Sequence, residues 1–293
     1  MAKHEVVIAG GGPTGMMLAA ELALAGVNVA VVERRPDHVL VGSRAGGFHS
    51  RTIEVLDQWG VADRFLAEGQ VTQTTMFALT VLDMSDFPTR HPYGLGIWQN
   101  DIERIMADWI AELPVHSYYG CDVTGFVQDD TGVDVDLSDG PSLRAQHLVG
   151  CDGGRSVIRK AAGIEFPGWD PTKSNLIAEV ELSEEPDWGI RRDDKGVHSL
   201  SRLEDGERER VMVTEQHVGH TSEPTLRDLS EAIIAVYGSD FGIHSPTWIS
   251  RFTDMTRQAA AYRAGRVLLA GDSARTCTTR RVDRASVSVC RMR

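Results

Sequence analysis

The chain has 293 residues, 42% hydrophobic and 25% charged, and carries a net charge of −12. It can bury a sizeable core in one large or two modest domains, and its acidity disfavours nucleic acid or an anionic membrane as partner. No apolar run approaches a membrane span and the N-terminus lacks a signal peptide's charged start and long apolar core, so the cytoplasm is the expected location.

Residues 6–9 form a short apolar, β-branched run suited to a strand buried on both faces. Gly10, Gly12 and Gly15 follow in the spacing G-x-G-x-x-G, with Pro13 and Thr14 between the last two. Residues 16–24 read as a helix stopped by Gly26, and residues 27–32 as a second buried strand. Glu33 closes that strand about 20 residues after the glycines, and Arg34 follows it. Gly10 permits the turn out of the strand, Gly12 lets a pyrophosphate approach the backbone, and Gly15 lets helix and strand pack closely. The helix N-terminus offers free N–H groups and partial positive charge to phosphates. Glu33 can accept hydrogen bonds from an adenosine ribose and would repel a 2′-phosphate. The nucleotide expected here is therefore FAD or NAD, and the spacing alone does not separate the two.

Residues 43–50 are a polar, glycine-rich loop from which Arg44 emerges beside the phosphate site, and residues 51–59 read as an amphipathic helix. Residues 76–84 look like one strand. Gln99 precedes a helix expected over 101–113, with Asp101 as N-cap and Pro114 beyond its end. Residues 115–119, 123–128 and 133–137 read as short strands of an antiparallel meander.

In the stretch GCDGGRSVIRK, Asp152 and Arg155 follow a strand end, and Ser156 is a candidate cap for the next helix. Such an aspartate suits the ligand edge of an α/β sheet, or a turn in which it bonds its own backbone. Residues 174–262 are strand-rich, with a helix over 225–237, and carry no nucleotide motif. GRVLLAGDSA then returns to the earlier pattern: a buried strand over 267–270, ending in Gly271 and Asp272, whose carboxylate can accept from a polyol. Cys121, Cys151, Cys277 and Cys290 make no C-x-x-C pair, the histidines form no H-E-x-x-H, and G-x-S-x-G is absent from the sequence. Neither a metal site nor that type of serine hydrolase is expected.

GGGPTG with Glu33, then GCDGGRSVIRK, then GRVLLAGDSA, in this order, resemble the class A flavoprotein monooxygenases of the p-hydroxybenzoate hydroxylase family. The stretch SRAGGFHSRTIEVLDQWG looks most like the branch acting on aromatic polyketides and rifampicin. The resemblance covers about residues 1–274. It implies an α/β, Rossmann-like FAD-binding domain of the GR2 flavoprotein type, over 1–175 plus 262–274 and interrupted near 75–97 by a substrate-domain strand. A β-rich substrate domain over 176–261 is inserted into it.

Carried over by position, Gly10, Gly12, Pro13, Thr14 and Gly15 match the pyrophosphate loop, and Glu33 with Arg34 the adenosine end. Arg44 matches an arginine that contacts FAD, and Gln99 a glutamine beside the flavin. Asp152 and Arg155 match a motif serving FAD and NAD(P)H, and Gly271 with Asp272 the ribitol site. The implied activity is hydroxylation of a small aromatic substrate, phenolic or polyketide-like, with FAD as cofactor, NADPH or NADH as reductant, and O₂. Phe77, Trp98, Trp188, His217, Phe241 and Trp248 are the pocket candidates, each also readable as core. No catalytic acid or base is assigned. A related flavoprotein reductase or halogenase, or a non-catalytic nucleotide-binding fragment, remain alternatives.

After Ala274 the sequence changes character: six of the nineteen residues 275–293 are arginine in an otherwise acidic chain. In the family a histidine, a glycine-rich loop and a helix opening GGQGLN follow this motif. From Thr276 on, joining the third base of each codon to the first two of the next permits HVHH, two free positions, then GGQGLSVGVQD. The expectation is a reading-frame shift near Ala274, an unpacked tail over 275–293, and impaired hydroxylation. A genuine basic tail is the alternative.

Overall fold

The computed structural model describes residues 3–77, 80–203, 206, 208–218 and 222–277. Five strands form its parallel core. In chain order the elements that build it are β1 (Lys3–Ala9), α1 (Pro13–Leu24), β2 (Val29–Glu33), α2 (Gln99–Ala111), β3 (Val115–Tyr119), β4 (Leu143–Gly150), α3 (Val157–Ala161) and β5 (Val267–Leu269). Their order across the sheet is β5-β4-β1-β2-β3, all parallel. The carboxyl ends of β1, β2, β4 and β5 therefore share one edge, and each carries one of the sequence motifs.

β2 is buried along its whole length, as a parallel strand covered on both faces must be. One core cluster packs Met16, Ile53, Phe65, Ile102 and Trp109, and another joins Val7, Val32, Leu148, Ile158 and Val267. α1 begins at Pro13, whose missing N–H costs nothing at a first helical position, three residues earlier than the sequence suggests.

Three local expectations are corrected. The run 76–84 is a hairpin, Thr74–Phe77 against Thr80–Asp83. Among the described residues it pairs only with itself. α2 starts at Gln99 with Trp98 as N-cap, which puts Asp101 inside the first turn, where its charge still favours the helix dipole. β3 lies parallel beside β2, Val29 opposite Val115, and so belongs to the main sheet and not to the meander. Its crossover runs through α2, the arrangement parallel neighbours require. The antiparallel strands are Val123–Gln128 and Val133–Leu137, the latter pairing with the first half of β4.

A second sheet of five strands holds Ser174–Glu181, Gly189–Arg192, Val197–Arg202, Glu209–Thr214 and His244–Thr253. The helix Leu226–Tyr237 covers it, and Leu176, Val211, Leu229 and Ile233 form its own core. Thr225 and Asp228 make a capping box at the start of that helix, and Gly238 ends it in the left-handed conformation. Thr256–Gln258 pairs with Gly168–Trp169 and Arg275–Cys277 in a separate three-stranded sheet. The last strand of the inserted sheet ends at Thr253. Packed structure also continues three residues past Ala274, because backbone pairing with Thr256–Gln258 does not depend on the side chains present. Residues 278–293, where the rest of the expected unpacked tail falls, lie outside the described residues.

Candidate functional site

The glycine loop has the geometry its spacing implies. Gly10 has φ 107° and sits so close to the Cys151 carbonyl that a Cβ would collide with it. A Cβ on Gly15 would strike the Gly10 carbonyl, so this glycine brings α1 tightly against the turn. Gly12 is different: a Cβ there would meet nothing within 4 Å. The space in front of Gly12, at the helix N-terminus, is a cradle of the kind a pyrophosphate needs. Thr14 is exposed and faces Gly271, whose φ of 64° brings the GDS turn onto the start of α1.

Glu33 is buried at the end of β2. Its Oε2 accepts the Gly11 N–H at 2.6 Å, and its Oε1 accepts the N–H and Nε–H of Arg35 at 3.0 and 3.1 Å. Arg34 follows, exposed. Gln99 turns back from the first turn of α2, and its Oε1 accepts the backbone N–H groups of Arg44 and Ala45, both at 3.3 Å. It shapes the loop that carries Arg44.

Arg44 donates to Ser250 Oγ at 2.6 Å across the domain junction. Burial, then the neighbouring Arg155 charge, pushes the Arg44 guanidinium below its usual range, and Asp272 opposes the shift. Crowding by protein raises the Asp272 carboxyl, with Arg44 pulling the other way. Asp272 is nonetheless open to solvent, as a side chain lining a concavity would be. Arg44, Arg155 and Asp272 come from three distant stretches and meet at the carboxyl edge of the sheet.

Asp152 is engaged structurally. Its Oδ2 accepts from Val157 and Ile158 at the start of α3, and its Oδ1 accepts the Ser273 hydroxyl at 3.0 Å. Ser156 caps the same helix. Arg159 was not singled out by sequence, although it stands inside the same motif. It is buried, donates to the carbonyls of Ser273 and Gly154 at 2.9 Å each, and lies over the Phe166 ring. It ties the second motif to the third. The Cys151 thiol is pushed up to about 12 by burial and the Asp152 charge, so it is no nucleophile.

A cleft of about 430 Å³ opens between the Arg44 loop and the inserted sheet, lined by Leu40, Val41, Gly42, Ser43, Trp98 and Glu179 among others. Trp98 lines it directly, and Trp248 packs on Gly42. Arg210, buried, lies over Trp98 with 4.6 Å to the ring centroid and donates to the Ser43 carbonyl. The other candidates stand apart: Trp188 bonds Glu185 on the surface, His217 is exposed, and Phe241 packs against Tyr237. The Phe77 side chain lies outside what the structure describes. A concavity of similar size, lined by Gln128, Asp129, Arg263 and Arg266, sits at the amino end of β5, where the stretch GRVLLAGDSA begins, away from Gly12 and Asp272. Among the described residues there is no cluster fit for a metal ion and no helix long and apolar enough to cross a membrane.

A parallel sheet with a glycine cradle, an acid ending its second strand and charged groups gathered at one carboxyl edge defines a dinucleotide-binding α/β protein with an inserted sheet. The chain belongs to the FAD-binding-domain family, whose model matches residues 3–279, and FAD is the cofactor of that family. A rifampicin monooxygenase of Streptomyces venezuelae is 40% identical over 280 residues, covering 92% of this chain and 58% of the relative. The solved anhydrotetracycline hydroxylase of Streptomyces rimosus matches with TM-score 0.86 at 40% identity, covering 94% of this chain and 57% of that one. A Diels-Alderase of the pyrroindomycin pathway matches with TM-score 0.85 at 31% identity, covering 94% and 61%. The chain thus spans little more than half the length of the relatives it matches.

Proposed function

We propose that the chain is the FAD- and substrate-holding portion of a flavin-dependent monooxygenase that hydroxylates a phenolic or polyketide-like aromatic with NAD(P)H and O₂. One observation carries the reading: the open cradle at Gly12 and the convergence of Arg44, Arg155 and Asp272 lie on one sheet edge, beside a cleft shared with the inserted sheet. The named hydroxylases among the relatives support the choice of chemistry.

FAD, when bound, supplies the redox chemistry with O₂. The chain's own residues bind and orient it. The free N–H groups of α1 and the like charges of Arg44 and Arg155 suit an anionic pyrophosphate: an anion between two arginines relieves their mutual repulsion. Asp272 accepts from the polyol chain, and Glu33 from the ribose. Leu40, Val41 and Trp98 give the cleft apolar walls that exclude water from an aromatic ring. Asp152, already engaged by α3 and Ser273, serves the cofactor by shaping the turn.

The test has two stages. Purified chain incubated with excess FAD should retain flavin absorbance after desalting. With NADPH and a phenolic tetracyclic substrate, a flavin-loaded chain restored to encode GGQG beyond residue 276 should consume oxygen and add one oxygen atom to the ring, and the 293-residue chain should do so far more weakly. Flavin retention by the restored chain without hydroxylation would favour the non-catalytic reading, and absence of flavin would defeat both.

A further inference from the structure

The two ends of the proposed cofactor site are joined by a relay whose two carboxylates are buried. Arg35, whose N–H and Nε–H engage Glu33, also presents Nη1 to Glu103 Oε2 at 2.9 Å. Glu103 is 2% exposed. Its other oxygen accepts the Gln99 Nε2–H at 2.8 Å, and Gln99 in turn holds the backbone of Arg44 and Ala45. Gly11, Glu33, Arg35, Glu103, Gln99 and Arg44 thus form one chain of contacts.

Glu33 is oversubscribed. A carboxylate offers about four lone-pair sites, and the protein takes three of them, two through Arg35. A ribose diol needs two acceptors, so Arg35 is its rival for Glu33. Among the described residues, the acids paired with Arg35 are Glu33 and Glu103. Only Glu103 draws the guanidinium away from the ribose position.

We propose that Glu103 is a positioning residue for the adenosine end of the cofactor. It holds Arg35 so that Glu33 can exchange the guanidinium for ribose hydroxyls. Through Gln99 it fixes the Arg44 loop from the same carboxylate, so both ends of the site are set together. Without its charge, Arg35 closes fully on Glu33. The proposal rests on the dinucleotide reading above.

The probe is ADP, which tests the adenosine end without flavin, measured by calorimetry on the 293-residue chain. Glu103→Gln keeps an acceptor for Gln99 and nearly the same volume but drops the charge. It should bind ADP about tenfold more weakly than wild type. The double variant Arg35→Ala/Glu103→Gln lacks the rival and should bind ADP at least as tightly as wild type. A purely structural role for Glu103 would instead leave the double variant as weak as the single one. Should Glu103→Gln fail to fold, the double variant, which buries no unpaired charge at this pair, decides alone. Unchanged ADP affinity in folded Glu103→Gln, or a tenfold loss persisting in the double variant, overturns the proposal. A wild-type chain that binds no ADP overturns the dinucleotide reading itself.

Discussion

Glu33 and Asp272 carry the sharpest expectations for single residues. Glu33→Ala should weaken FAD binding well beyond Glu5→Ala, because Glu5 only accepts the Asn28 N–H at an exposed position. Fluorescence titration of FAD against both variants checks this, and equal affinities would remove Glu33 from the site. Asp272 makes opposite demands on stability and binding. Its carboxyl is raised in the folded chain by crowding, so its contribution to stability is present below the ordinary carboxylate range and lost as pH rises through the raised value. Asp272→Asn should leave the flavin-free protein no less stable at neutral pH while shortening flavin retention on a desalting column. Unchanged retention would place the polyol elsewhere. The positions of Glu33 and Asp272 were legible because their signals are short in range: Glu33 ends a buried strand about 20 residues after the glycine loop, and Asp272 follows Gly271 at the end of another. Glu103, Arg35 and Arg159 were not. They act by meeting residues far along the chain, and a charged residue on a helix reads as a solvated face until the fold buries it.

At the scale of elements, Thr225 and His198 expose what holds the inserted sheet. Thr225→Ala removes one half of the capping box and should cost about 1 kcal/mol, read as a lower urea midpoint with unchanged slope. No shift would mean that the helix frays without consequence. His198 is fully buried in the sheet. Its Nδ1 accepts the Thr214 N–H at 3.2 Å and its Nε2 faces Asp193 at 3.1 Å, which fixes the neutral Nε2–H tautomer. Protonation at Nδ1 would set one N–H against another. Burial lowers its pKa from the usual 6.5, although Asp193 resists. The stability it contributes is therefore present above that value and lost as pH falls through the lowered one. The urea midpoint of the wild type should drop with acidification below about 6 more steeply than that of His198→Gln; parallel curves would refute the assignment. The helix over 226–237 was readable from its cap, its apolar face and Gly238. The hairpin at 74–83 was not, because Ala78 and Leu79 between its strands carry no turn signal.

For the whole molecule, two packed sheets meet at the Arg44 loop. Ser250 and Arg210 of the inserted sheet hold that loop from one side, and Gln99 holds it from the other. The order of motifs along the chain made the plan of an α/β sheet with a second, β-rich part inserted into it legible. The boundaries were less so, since pairing of Thr256–Gln258 with Arg275–Cys277 depends on contacts that no local pattern announces. A shift of reading frame near Ala274 would remove a loop and a helix from the whole molecule. A version of the gene restored to encode GGQG beyond residue 276 should yield a protein that binds FAD more tightly than the 293-residue chain. Resequenced DNA that cannot encode GGQG in either alternative frame would end the proposal.

One edge of β4 is divided between two partners, Val133–Leu137 on its first half and β5 on its second. The first partner leaves the ribosome just before β4, whereas the second follows only after the whole inserted sheet. At cellular elongation rates that delay is on the order of ten seconds. Throughout it, residues 148–150 are an unpaired strand edge, open to wrong partners. Ser273 has not yet reached Asp152, and Asp272 has not yet reached Arg44. The nucleotide edge is therefore completed only by chain that is synthesised after the whole inserted sheet.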